Sequence, residues 1–184
     1  MRFGLSLTSG ALFMAVFSIG LPIVVLAGTL VSVRTIPRAQ RRAVSAIVIC
    51  VTMLVAGMGV FLLAGELRTS VVIGERMLVQ VPPFQSLSVG RSDVVRAYRV
   101  SDRTQDPGLR LAVRTNGTAV GSYLTGAFRL ADGRSAVLMA SGPACVVVEL
   151  KDKVLILAPN DLEGFVRALQ AWGVTVAQDG RSGS

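Results

Sequence analysis

Tyr123-Leu124-Thr125-Gly126-Ala127-Phe128-Arg129-Leu130 and Ser135-Ala136-Val137-Leu138-Met139-Ala140 are separated by Ala131-Asp132-Gly133-Arg134. Both runs are short and apolar. The Asp-Gly pair between them is a dipeptide favoured by two-residue hairpin turns, whose central positions need positive φ. The stretch reads as two antiparallel strands joined by a tight turn.

The same pattern continues on both sides. Cys145–Leu150 and Val154–Ala158 flank Lys151-Asp152-Lys153, a second hairpin. Pro159 ends that strand, and Asn160 with Glu163 three residues on reads as a capping box. Leu162, Phe165, Val166, Leu169 and Trp172 fall on one helical face, and Gly173 stops the helix. From Val174 the chain drifts to a polar, glycine-rich end, which predicts a disordered tail over 174–184. Upstream, Leu109, Leu111 and Val113 alternate with Arg110, Ala112 and Arg114, a strand with one wet face. Asn116-Gly117 predicts another hairpin turn there. Val71–Ile73 and Met77–Val81 are closed by Pro82-Pro83; Phe84, Leu87 and Val89 suggest the next strand, and Val94-Val95 with Tyr98–Val100 another. The sum is a mainly-β part of about seven short antiparallel strands and one terminal helix. Such strands avoid open edges by curling into a barrel or bent sandwich, with the helix plugging an open end.

The N-terminal third has a different chemistry. Ala11–Val33 and Ala43–Gly65 are each 23 residues without a charge. A helix of that length is roughly 35 Å long, enough to cross a hydrocarbon core of about 30 Å. The chain is too short to bury two such helices in a soluble core. The expected organisation is an N-terminal segment (1–10), a first transmembrane helix (11–33), a basic loop (34–42), a second transmembrane helix (43–65), a β domain with its C-terminal helix (67–172) and the tail. Basic residues in short loops stay cytoplasmic. Arg34, Arg38, Arg41 and Arg42 therefore predict a cytoplasmic loop, with both termini outside the cytoplasm.

This division explains a net charge of +8 in a chain that is 52% hydrophobic. Residues 1–65 hold five arginines and no acid; the remaining fourteen basic and eleven acidic residues leave the β domain at +3. That domain is too mildly basic, and the chain at 5% aromatic too poor in stacking residues, to suggest a nucleic-acid partner.

Gly117, the stretch Gly121–Arg134, and the ending Leu155-Ile156-Leu157-Ala158-Pro159-Asn160-Asp161-Leu162-Glu163-Gly164-Phe165 with its helix resemble a bacterial pleckstrin-homology-like domain. The resemblance covers about residues 67–172. It implies a bent antiparallel barrel of about seven strands capped by a C-terminal α-helix, often found beside membrane spans. The matching residues are turns, one aromatic and a helix cap, so no functional residue is carried over.

Candidate chemistry is sparse. The chain has no histidine, the commonest general base and metal ligand. Cys50 lies in a predicted span and Cys145 in an apolar strand, and both read as small hydrophobes. Asp106, Asp132, Asp152 and Asp161 sit at turns or a helix start, where capping explains them. No phosphate-binding glycine motif is present. Asn116-Gly117-Thr118 matches a glycosylation sequon, but the turn accounts for it. No catalytic, metal or cofactor residue is expected, and no cofactor. Arg91, Arg96, Arg99 and Arg103, with Tyr98 among them, form a candidate anion or lipid-headgroup patch, offset by Asp93, Asp102 and Asp106. The expected function is a non-enzymatic binding or scaffold module held in a bacterial inner membrane. Its partners would be the lipid bilayer and a protein, lipid or second copy of the chain. A small transport, channel or envelope-complex subunit is the alternative. Against a channel, neither span carries an ionisable residue.

Overall fold

The computed structural model describes residues 1–5, 20, 22–29, 37–82, 85–120 and 123–178. The chain forms two units, one of Met1–Ser6 with Leu67–Ser184 and the other of Leu7–Glu66.

The second unit contains helix α1, Arg38–Leu67, 30 residues long. Its stretch Gln40–Met58 has a mean hydropathy of 1.7, and none of its residues is buried in the protein. Met53 and Leu54, for example, are 70% and 69% exposed. Among the described residues α1 is the one helix long and apolar enough to cross a membrane, where the sequence predicts a pair. Most of the other predicted span, Ala11–Val33, lies outside the described residues; within it, residues 20 and 22–29 are helical. The basic loop is also corrected. Arg38, Arg41 and Arg42 lie in the first turns of α1, because Pro37 starts the helix. The Pro37 carbonyl accepts from the N–H groups of Gln40 and Arg41 at 3.0 and 3.1 Å, and proline suits a helix start, where its missing N–H costs nothing. Arg34 lies outside the described residues.

The first unit is built on two sheets. β1 (Arg2–Gly4), β2 (Ser70–Ile73), β3 (Met77–Val81) and β4 (Gln85–Val89) form a four-stranded antiparallel meander. β5 (Val94–Val100), β6 (Leu111–Val120), β7 (Tyr123–Leu130), β8 (Ser135–Ala140), β9 (Cys145–Leu150), β10 (Lys153–Ala158) and β11 (Val176–Gln178) form the second sheet, in the order β11-β5-β9-β10-β8-β7-β6. Helix α2, Leu162–Ala171, follows β10.

The larger sheet is mixed, not antiparallel as expected. β10 runs parallel to β8, and β11 parallel to β5. The cause is connectivity. The β9–β10 hairpin folds back so that β10 takes the free edge of β8 while β9 pairs outward with β5.

Alternation along β8, β9 and β10 feeds two cores. Val137, Met139, Val146, Val148, Leu155 and Leu157 point to one side, where they meet Val71, Met77, Val79 and Val81 of the small sheet and Phe165 and Leu169 of α2. Leu138, Val147 and Ile156 point to the other, among Tyr98, Leu109, Leu124, Phe128 and Leu130. Strands buried on both faces read as unbroken apolar runs, which is how these segments look in the sequence.

α2 is capped one residue later than expected. The Asp161 carboxylate, not the Asn160 amide, accepts from the Gly164 N–H at 2.8 Å. The Asn160 N–H is instead spent on the Gly4 carbonyl at 3.1 Å. β1 therefore belongs to this unit: Phe3 meets Phe165 edge-on with ring centroids 5.4 Å apart. The segment expected as a tail contributes β11, paired with Ala97–Arg99; residues 179–184 lie outside the described residues.

Asn116-Gly117 is not a turn. It lies inside β6, opposite Ala127 and Gly126. Gly117 and Gly126 have φ of 129° and 116°. A Cβ on Gly126 would come within 2.3 Å of the Asn116 carbonyl oxygen and 2.5 Å of Gly117 Cα. The two paired strands approach here to a distance that side chains forbid, and the hairpin connection falls after Val120 instead. Gly126→Ala is expected to cost about 2–4 kcal/mol from combined strain and overlap. Gly133→Ala, which meets nothing within 4 Å at the β7–β8 turn, should cost about 1–2 kcal/mol from its positive φ alone. Denaturant titrations of the two purified variants, followed by near-UV circular dichroism, test the ranking.

Candidate functional site

Two of the four arginines of the predicted patch, Arg96 and Arg99, pair with carboxylates of other elements. Arg96 leaves β5 on the side of Tyr98 and grips Glu149 of β9 with two bonds, Nε to Oε2 at 2.6 Å and Nη2 to Oε1 at 3.0 Å. Its guanidinium also stands 5.0 Å from the Tyr98 ring centroid. Arg99 leaves on the other side and pairs with Glu163 of α2 at 2.5 Å. Arg103, past the strand, donates from Nε to the Gly142 carbonyl at 3.4 Å. Arg91 lies against Gly173 just beyond the C-terminus of α2, where a Cβ would fall 2.3 Å from its Cζ. A cation there complements the helix dipole. Arg91 and Arg96 do line one open groove of about 390 Å³ with Val94, Val95, Gly173 and Thr175. Arg96 is committed to Glu149, and Arg91 lies at the helix end.

Glu149 is the hub of the polar network on this side of the sheet. Besides Arg96 it accepts from Arg134 Nη1 at 3.1 Å and from the Tyr98 hydroxyl at 3.4 Å. Arg134 in turn donates to Asp132 Oδ2 at 2.6 Å. The hydrogen bond from Arg96 is the largest influence holding the Glu149 carboxyl below its ordinary range. Burial is the main reason the Tyr98 phenol is pushed up to about 12. All partners of Glu149 are structural neighbours across β5, β9 and the β7–β8 turn, so the network fastens strands and presents no reacting group. Cys145 is fully buried and burial pushes its thiol up to about 12, far from the thiolate that chemistry would need. Among the described residues no three of Cys, Asp and Glu gather closely enough to hold a metal ion.

A further group of cations without a carboxylate partner lies elsewhere. From Pro107 to Ala131 the chain carries Arg110, Arg114 and Arg129 and no acid. All three are exposed, and none makes an ion pair among the described residues. They lie on or beside the β6–β7 hairpin, at the end of the seven-stranded sheet. The acid-free interval was legible in the sequence. Reading arginine spacing along one strand obscured it, because the decisive quantity is which arginines lack a carboxylate across the sheet.

Residues 88–172 match the family model described as a bacterial PH domain. No curated protein and no solved structure matches the chain. The match begins at the end of β4 and covers β5 to β10 and α2. The matched region is thus six strands of the larger sheet with α2, while β1–β3, α1 and β11 lie outside it. The turns and helix cap that carry the sequence resemblance fall largely inside the matched range.

Two outcomes follow from the network and the thiol. Glu149 has a folded pKa below its unfolded value, so it stabilises the fold above about pH 4.5 and loses that effect as pH falls through the lower folded value. Glu149→Gln should lower stability by about 1–2 kcal/mol at neutral pH and flatten the acid limb of a midpoint-versus-pH curve. A maleimide reagent at neutral pH should leave Cys145 unlabelled in the folded chain and modify it after denaturation, as read by peptide mass spectrometry.

Proposed function

We propose that the chain is a membrane-anchored, non-enzymatic binding or scaffold module of a bacterial inner membrane. Its PH-like unit would recognise a protein or lipid partner at the membrane surface. The observation that carries the reading is the bacterial PH domain match over residues 88–172. PH-like folds generally bind rather than catalyse, and the Glu149 network of this one fastens strands.

Anchoring rests on α1. The uncharged stretch 43–65 is bounded by Arg42 and Glu66, and a helix that leaves large apolar side chains such as Ile47, Met53 and Leu54 exposed calls for an apolar solvent. Three arginines at the positive end of the α1 dipole, with no acid in its first turn, oppose ordinary helix preference. A topological role explains them: the 34–42 segment stays cytoplasmic.

The β1–β2 pairing adds a parity argument for two spans. Gly4 is the register partner of Ser70, so the chain leaves the first unit and returns to it at neighbouring points. A segment that begins and ends on one side of a bilayer crosses it an even number of times. α1 supplies one crossing, and residues 7–37, with uncharged Ala11–Val33 among them, supply the other. Both ends of the hairpin and the PH-like unit then lie outside the cytoplasm.

Reporter fusions test this reading. Alkaline phosphatase fused after Ser184 should be active, and a fluorescent protein that matures only in the cytoplasm should be dark there and bright when inserted within 34–42. The opposite pattern would sink the orientation. Termini on opposite sides would sink the hairpin.

A further inference from the structure

β6 is the terminal strand of the seven-stranded sheet. One side pairs with β7 along Leu111 to Val120. Among the described residues no strand takes its other side, and no turn or loop carbonyl or N–H bonds to it. Strands usually run about 5–6 residues and sheet edges are kept short; this one is ten residues long. Residues 112–116 and Ala119 are exposed, with Val113 an exposed apolar side chain at 58%.

Charge decides what fits this edge. Arg114 stands opposite Phe128 and Arg129 opposite Val113, so successive positions put the two guanidinium groups on opposite faces of the hairpin. Arg110 precedes the strand. A second β6 edge would bring the same cations together and is repelled. An extended segment bearing carboxylates would gain a ladder of backbone hydrogen bonds and meet an unneutralised arginine on either face. We propose that β6 is a docking edge which takes an extended acidic segment of a partner protein as an added strand. The proposal deepens the reading of this unit as a binding module and rests on it.

The test uses the full chain in detergent and a fluorescent ten-residue peptide alternating glutamate and valine. Anisotropy should show saturable binding that strengthens at low salt, while a lysine–valine peptide does not bind. Hydrogen exchange should slow at amides within 111–120. Arg114→Glu with Arg129→Glu should weaken binding roughly tenfold, the sum expected from two exposed charge pairs, with an unchanged thermal midpoint. The doubly lysine-substituted variant should retain binding. A charge-matched pair on α2 and the β9–β10 turn, Arg167→Glu with Lys151→Glu, should leave it intact.

Absence of saturable binding, protection outside β6, or equal loss in the charge-matched pair overturns the proposal. Displacement of the peptide by glycerol phosphate at constant ionic strength would assign the arginines to lipid headgroups instead. A concentration-dependent dimer lost on Arg114→Glu would assign the edge to a second copy. Each of these results also overturns it. The measurement is made in detergent, so its failure leaves anchoring and topology to be decided separately by the reporter fusions.

Discussion

Burial of β8, β9 and β10 on both faces is the constraint from which the rest of the β unit follows. Leu155 and Leu157 pack toward the small sheet and α2, while Val154 and Ile156 pack toward β7 and the turn at Leu109. A sheet used this way needs cover on each side. The β1–β4 meander and α2 supply it on one face, and the long β6–β7 hairpin with the Pro107–Leu109 turn on the other. Interior polar atoms have little place in such an arrangement, since each would need a partner to offset desolvation. Polar chemistry is pushed to rims and edges, which suits a module that binds.

The distribution of paired and unpaired arginines is the second consequence. Arg96, Arg99 and Arg134 each face a carboxylate supplied by a neighbouring element, and their charge is used to fasten β5, β9, α2 and the β7–β8 turn. Exposed pairs of this kind contribute modestly one at a time. Glu149 is the exception, because one half-buried carboxylate gathers two guanidinium groups and a phenol. Among the cations left without an ion pair, Arg114 and Arg129 stand on β6 and β7. A charge that stabilises nothing within the unit is available to a partner.

Connectivity links the β unit to the apolar one. β1 completes the small sheet although sixty residues, Leu7–Glu66, separate it from the body of its unit. Met1 extends the pairing, its amino group donating to the Ile73 carbonyl at 2.7 Å. Phe3 on Phe165 then ties the start of the chain to α2. A sheet that closes around an apolar excursion holds both ends of that excursion together.

The sequence by itself determined the two chemistries of the chain, the β7–β8 and β9–β10 hairpins, and the apolar face of α2. These depend on local rules: charge-free length, Asp-Gly turns and helical periodicity. It also held the acid-free interval around Arg110, Arg114 and Arg129. Tertiary structure decided the rest. Gly117 lies in a strand opposite Gly126 at a distance only two glycines allow, and neither residue announces the other in sequence. Parallel pairing of β10 with β8, the recruitment of residues 176–178 as β11, and the docking of β1 are long-range choices made by open edges and buried area. Which arginines keep their charge unpaired was decided last, because a carboxylate neutralises the cation it meets in space and not the one beside it in the chain.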